Sequence, residues 1–193
     1  GLTSRNTILS TLTVLSVLLF SNVEPASGST VTFEIGGVLT EASGTNGLAV
    51  GDPFTGTFSY SLEQTGTDVP SVQATRYVFD NYSLTLQGQT VFSTGGDVTI
   101  ENNGSFGDNF TLNVDDTTPA AIVSGSINGA VGFELFLFLR ALNGAPFIDT
   151  SLPPSLNLAD FPDMRRIDLV FQSNRGAVIG EISTLSAVPL PAA

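Results

Sequence analysis

The sequence has no cysteine, no histidine and no tryptophan, and its six basic residues are all arginine. Lacking cysteine, it can form no disulfide staple, run no thiol chemistry and build no thiolate metal site. Lacking histidine, it is without the commonest general base and transition-metal ligand, and lacking lysine it can form no Schiff base. Nucleophile-and-base triads and zinc centres thereby lose their usual members. Positive charge is scarce too: 18 acidic residues against six arginines give a formal charge of −12, which repels nucleic acid and anionic lipid. Carboxylates, hydroxyls and arginine are what remain for chemistry.

The 193 residues suffice for one well-buried domain, and 41% hydrophobic content with 20 glycines and 10 prolines suits an all-β chain punctuated by turns. From Val31 onward strand follows strand. In "FTGTFSYSL" Phe54, Gly56, Phe58 and Tyr60 alternate with Thr55, Thr57, Ser59 and Ser61, the period of a half-buried strand with a hydroxyl outer face. Nine further runs, from "VTFEIGGVLTEA" to "GAVIGEIS", are bounded by Gly, Asn, Asp or Pro. About ten strands with no helical period between them predict an antiparallel β-sandwich of jelly-roll or related type over residues 29–186. "GFELFLFL" carries apolar residues on both faces, which places it in the middle of the assembly. Residues 143–164 hold Pro146, Pro153, Pro154 and Pro162, which predict a long connection packed along one end through Phe147, Leu152 and Phe161.

Residues 1–28 read differently. Arg5, an apolar run from Ile8 to Phe20 and a polar end at Ala26-Ser27-Gly28 have the layout of a secretory signal peptide cut before Ser29. The same apolar run also fits a buried core helix. As a segment kept in the mature chain it resembles the N-terminal helix of pilin-like subunits, although Arg5 stands where an acidic residue is usual.

Candidate chemistry rests on carboxylates. Glu134, inside an apolar strand, is the best single candidate for a glycosidase acid, with a raised pKa and no second acid identified. The alternative is an ion pair with Arg140 or Arg166. Asp97, Glu101, Asp108, Asp115 and Asp116, with Asn102 and Asn103, supply the hard oxygen donors that Ca²⁺ takes. No other cofactor is implied, and "ENNGSFGD" reads equally as a hairpin turn. Asn81, Asn103 and Asn109 head glycosylation sequons. Tyr60, Tyr77 and Tyr82 are the residues available as sugar-stacking platforms, or else as core.

The C-terminal "AVPLPAA" resembles the start of the PEP-CTERM sorting signal in its VPLPA variant, with Val188, Pro189, Leu190, Pro191 and Ala192 matching the core. The apolar helix and arginine-rich tail that follow it in that family are not among these residues. "GLAVGDPFTGTFSY" and "YSLTLQGQTVF" look like the β ectodomains that precede such signals. The resemblance implies export through the inner membrane of a Gram-negative bacterium, a transient C-terminal membrane anchor and processing by an exosortase-type enzyme. It further implies release or attachment at the surface beside exopolysaccharide, and it carries over no catalytic residues. The expectation is a non-enzymatic, matrix-associated β module, with residues 187–193 as the start of the sorting motif. Two alternatives stand beside it. One is a filament subunit, joined by N-terminal helices or by donating "STVTFEIGGVLT" to a neighbour's sheet; the other is a carbohydrate-binding or polysaccharide-hydrolysing module.

Overall fold

The computed structural model describes residues 29–70, 72–115, 122–143 and 146–189. Twelve strands form in chain order: β1 (Thr30–Ala42), β2 (Pro53–Ser61), β3 (Thr67–Val69), β4 (Ala74–Val78), β5 (Asn81–Leu86) and β6 (Gln89–Ser93), followed by β7 (Asp97–Gly104), β8 (Gly107–Val114), β9 (Ser124–Ile127), β10 (Ala130–Ala141), β11 (Met164–Phe171) and β12 (Ala177–Ala187). The pairings are antiparallel, and no α-helix occurs among the described residues.

The expected β-sandwich is not what these strands build. They run β10-β11-β12-β1-β2-β5-β6-β9 and return to β10, closing an eight-stranded barrel, while β8, β7, β4 and β3 continue from β10 as an added sheet. A sandwich and a barrel demand the same alternation of inward and outward side chains, so alternation alone does not separate them. The decision lies in β10. Its first two residues pair with Ile127 and Ser126 of β9, and its later part, Leu135 to Ala141, pairs with β8 along that same edge. The opposite edge is held by β11 from Gly132 to Arg140. A register shift between Gly132 and Glu134 makes Phe133 the extra residue of a bulge. The bulge reverses the alternation: Ala130 and Gly132 face inward before it, and Leu135, Leu137 and Leu139 after it.

The barrel is filled by side chains. Phe33, Phe58, Tyr60 and Phe110 pack ring against ring, with centroids 5.0 Å apart for Phe33–Phe58 and 5.7 Å for Phe58–Phe110. Space for the Phe54 ring is made by glycine: a Cβ on Gly37 would lie 2.7 Å from Phe54 Cζ, and one on Gly180 2.5 Å from Phe54 Cε1. Asn128-Gly129 turns β9 into β10 with φ of 51° and 76°, the pairing of positive angles that a two-residue hairpin requires.

The proline-rich connection closes one end of the barrel as expected, with Phe147, Leu152 and Phe161 buried. It is fastened by polar groups from the walls. Tyr60 Oη donates to Pro153 O at 2.7 Å, and Tyr77 Oη to Thr150 O at 2.9 Å. The buried Asp108 carboxylate accepts from Asn103 N at 2.8 Å and from Phe147 N at 3.0 Å, tying the β7–β8 turn to this connection.

Burial pushes the phenols of Tyr60 and Tyr82 well above the ordinary tyrosine range, and for Tyr82 the nearby Asp168 adds to the effect. Each phenol is therefore harder to ionise folded than unfolded. The stability this represents is fully present below the unfolded value near pH 10 and is lost as pH rises above it. Two such groups give a slope of up to about 2.7 kcal/mol per pH unit. Alkaline titration followed by phenolate absorbance should show Tyr60 and Tyr82 ionising together with unfolding. Reversible ionisation of all three tyrosines near pH 10 in a folded chain would contradict the burial.

Candidate functional site

The outer wall of the barrel carries hydroxyls where the inner wall carries rings. Two rows of side chains cross β12, β1, β2 and β5. Thr184, Gly36, Thr55 and Thr85 form one, and Ser186, Glu34, Thr57 and Ser83 the other, each neighbour directly opposite the next. Glycine interrupts the first row. Because Gly36 has no side chain, the wall dips there into an open groove of about 420 Å³ lined by Glu34, Gly36, Thr55, Thr57, Ser83 and Thr85 among others. A Cβ on Gly36 would sit 2.8 Å from Thr184 Oγ1, in the floor of that groove. Thr57 and Ser83 hydroxyls share a hydrogen bond of 2.8 Å, and Thr85 and Thr90 one of 2.7 Å. A hydroxyl both donates and accepts, so each of these pairs keeps capacity for a further partner. Glu34 is the one carboxylate among the groove-lining residues.

The acidic residues suited to calcium are distributed among other tasks. Asp97 lies 3.4 Å from Arg76 Nε; burial pushes its carboxyl up, Arg76 pulls it down and Asp115 pushes it up again. Glu101 accepts from Asn109 Nδ2 at 2.7 Å, and Asn109 Oδ1 accepts from Arg140 Nε at 2.6 Å, a chain that crosses three strands. Asp108 holds two backbone amides as described, and Asp115 accepts from Asn113 Nδ2 at 3.0 Å. Asp116 lies outside the described residues. Among the described residues no three acidic side chains converge on a point that would hold a metal ion. "ENNGSFGD" is the β7–β8 hairpin, with Asn103 at φ 54°.

Glu134 stands on the outer face of β10, opposite Val170 of β11. Arg166 is opposite Phe138 and forms its ion pair with Asp168, while Arg140 is held by Asn109. Neither arginine faces Glu134 across the ladder. Tyr60 and Tyr82 are fully buried, and all three tyrosine hydroxyls donate to backbone carbonyls. Of the sequons, Asn81 and Asn103 are exposed, whereas Asn109 is buried with both ends of its amide engaged.

At the C-terminal motif, Val188 N donates to Thr32 O at 2.9 Å, continuing the β12 ladder, and Pro189 is exposed. Leu190, Pro191 and Ala192, like the whole of residues 1–28, lie outside the described residues. The segment read as a donor strand is β1, which pairs along its length with β12 on one edge and β2 on the other.

Sequence reasoning identified the Thr/Ser outer face of β2 but not the groove, which exists only once β12 and β5 are laid beside β1 and β2. Comparison with family models, with curated proteins and with solved structures returns no match to this chain.

Proposed function

We propose that this protein is an exported, non-enzymatic β-barrel module of the cell surface or extracellular matrix that associates with exopolysaccharide through its hydroxyl-lined wall. The observation that carries this reading is the groove across β12, β1, β2 and β5, where threonine and serine hydroxyls crowd around a glycine floor. Such a lining offers donors and acceptors in alternation, which is what the hydroxyls of a sugar chain require. Individually each contact is weak, and repetition along a polymer multiplies it. The strong negative charge keeps the module soluble and away from acidic surfaces. The resemblance of Val188 to Ala192 to the VPLPA signal supports delivery by an exosortase-type route in a Gram-negative cell.

The test is co-sedimentation with exopolysaccharide precipitated from the producing culture. The full chain should pellet with the polymer without releasing reducing ends. Thr55→Val, Thr57→Val and Thr85→Val combined should lower the bound fraction about tenfold, the effect of losing three hydrogen bonds of roughly 0.5–1.5 kcal/mol each in part. Valine suits a strand at least as well as threonine, so the fold should survive. Pelleting unchanged by the triple substitution would remove the groove from the function, and steady release of reducing ends would make the protein an enzyme.

A further inference from the structure

A second outer face carries a different chemistry. While Leu135, Leu137 and Leu139 of β10 fill the barrel, Phe136 and Phe138 stand half-buried on its outside. Their rings lie within 15° of parallel with centroids 5.8 Å apart. On both sides the cross-strand neighbours are polar. Asn113 and Thr111 of β8 lie opposite Phe136 and Phe138, and on the other edge Asp168 and Arg166 of β11 do the same. Arg166 donates to both carboxylate oxygens of Asp168, which fixes that flank. Along the same outer face of β10, Glu134 separates this pair from Phe133 at the bulge, and Arg140 follows Phe138 at the other end. Phe133 is 38% exposed at the bulge, and at the far end Arg140 lies 5.5 Å over the ring of Phe106, itself 61% exposed. From Phe133 to Arg140 the strand covers about 23 Å.

We infer that this strip is a platform for a neutral polysaccharide chain. Phe136 and Phe138 meet the apolar C–H surfaces of sugar rings, and the flanking Thr111, Arg166 and Asp168 take hydroxyls at the ring edges. The shape argues for this occupant. The apolar surface is one strand wide and bordered by polar groups, the complement of a ribbon with apolar faces and hydroxyl edges. A second copy of the chain is disfavoured by the same shape, since a stable protein interface needs an apolar centre within roughly 800 Å² per partner. It is disfavoured again by charge, because two copies would each bring −12. That charge also selects a neutral over an acidic polymer. The inference rests on the polysaccharide reading above, but on a different face, and it names the class of sugar.

Native electrophoresis of the full chain in gels containing hydroxyethylcellulose, alginate or no polymer tests it. The chain should be retarded at least twofold by hydroxyethylcellulose and not by alginate. Phe136→Ala with Phe138→Ala should abolish the retardation. Phe136→Leu with Phe138→Leu, which keeps apolar volume but removes the ring faces, should abolish it as well and guards against a folding defect. The triple valine variant of the groove should remain retarded. Absence of retardation by the neutral polymer, retardation by alginate alone, or indifference to both double substitutions would each overturn the platform. So would concentration-dependent dimerisation, seen by sedimentation velocity and lost in the leucine pair, because it would make the strip a protein interface. If exopolysaccharide pelleting holds while hydroxyethylcellulose has no effect, only the platform falls. If pelleting fails while hydroxyethylcellulose retards, the matrix function falls and the platform stands.

Discussion

Phe58→Ala is expected to cost about 3–5 kcal/mol of folding stability, the range for deleting a fully buried aromatic ring that its surroundings cannot refill. Phe58 is 0% exposed, and its ring meets Phe33 of β1, Tyr60 of β2 and Phe110 of β8. Those partners come from the barrel wall and from the added sheet, so the cavity would open where the two parts of the fold are joined. Collapse around it is restrained because Tyr60 is held through its hydroxyl to Pro153 O. For a domain whose net stability is of order 5–15 kcal/mol, the loss is about a fifth of the total or more. Urea unfolding followed by far-UV circular dichroism should show the midpoint falling with the slope unchanged. Phe92→Ala, at a side chain 43% exposed on β6, provides the contrast and should shift stability by about 0.5 kcal/mol or less. Similar losses at the two positions would mean that the ring cluster is not the packed centre described.

Gly37→Ala should be at least as damaging, for an opposite reason. Gly37 lies between Phe54 of β2 and Ile182 of β12 at the place where the β1–β12 register shifts. A methyl group there would sit 1.9 Å from the carbonyl oxygen of Glu181 and 2.7 Å from Phe54 Cζ. The ring can turn, but the carbonyl belongs to the backbone of the neighbouring strand. Relief therefore requires β1 and β12 to separate, with loss of ladder hydrogen bonds, and the expected cost is about 3 kcal/mol or more, or failure to fold. Gly88→Ala separates this steric effect from the general cost of replacing glycine. Gly88 has φ of 74° with nothing within 4 Å of an added Cβ, so only the left-handed backbone is penalised, by about 1–2 kcal/mol. Thermal melts of the two variants measured together test the distinction. A Gly37→Ala protein as stable as Gly88→Ala would show that the strands tolerate the closer approach.

The inner faces of most strands were legible because alternation is a local property. Phe54, Gly56, Phe58 and Tyr60 all point inward, as the sequence of β2 predicts. The end-capping role of Phe147, Leu152 and Phe161 was legible for a related reason, since large apolar residues among prolines have few places to go but against the core. Barrel closure was not legible. It depends on β10 giving one edge to two successive partners, and nothing in "AVGFELFLFLRA" announces that β9 leaves where β8 arrives. The run "RYVFDNYSLTLQG" read as one strand but is two, because Phe79 turns into the core and Phe79 N and Asp80 N donate to Gly96 O and Ser59 O instead of to a continuing ladder. β3 is three residues long and below the reach of any periodicity. The candidate sites follow the same division. Acidic residues close in sequence diverged into separate bonds, and the groove arises from strands that only pairing brings together, whereas Phe136 and Phe138 share the single strand β10 and pairing adds only their polar border.

Closure also dictates an order of events. β12 is the last strand described, and it fills the gap between β1 and β11. A chain delivered from its N-terminus must therefore wait for residues 177–187 before the wall is complete, and until then one edge of β1 has no partner strand. Pairings between strands far apart in sequence are slow to find, and an open edge is where another chain can attach. Lysine, a frequent guard of such edges, is absent, leaving Glu34 and Glu41 as the charges on β1. For this protein the hazardous interval lies before the last strand docks, and anything that hastens the arrival of β12 acts as a safeguard against misassembly.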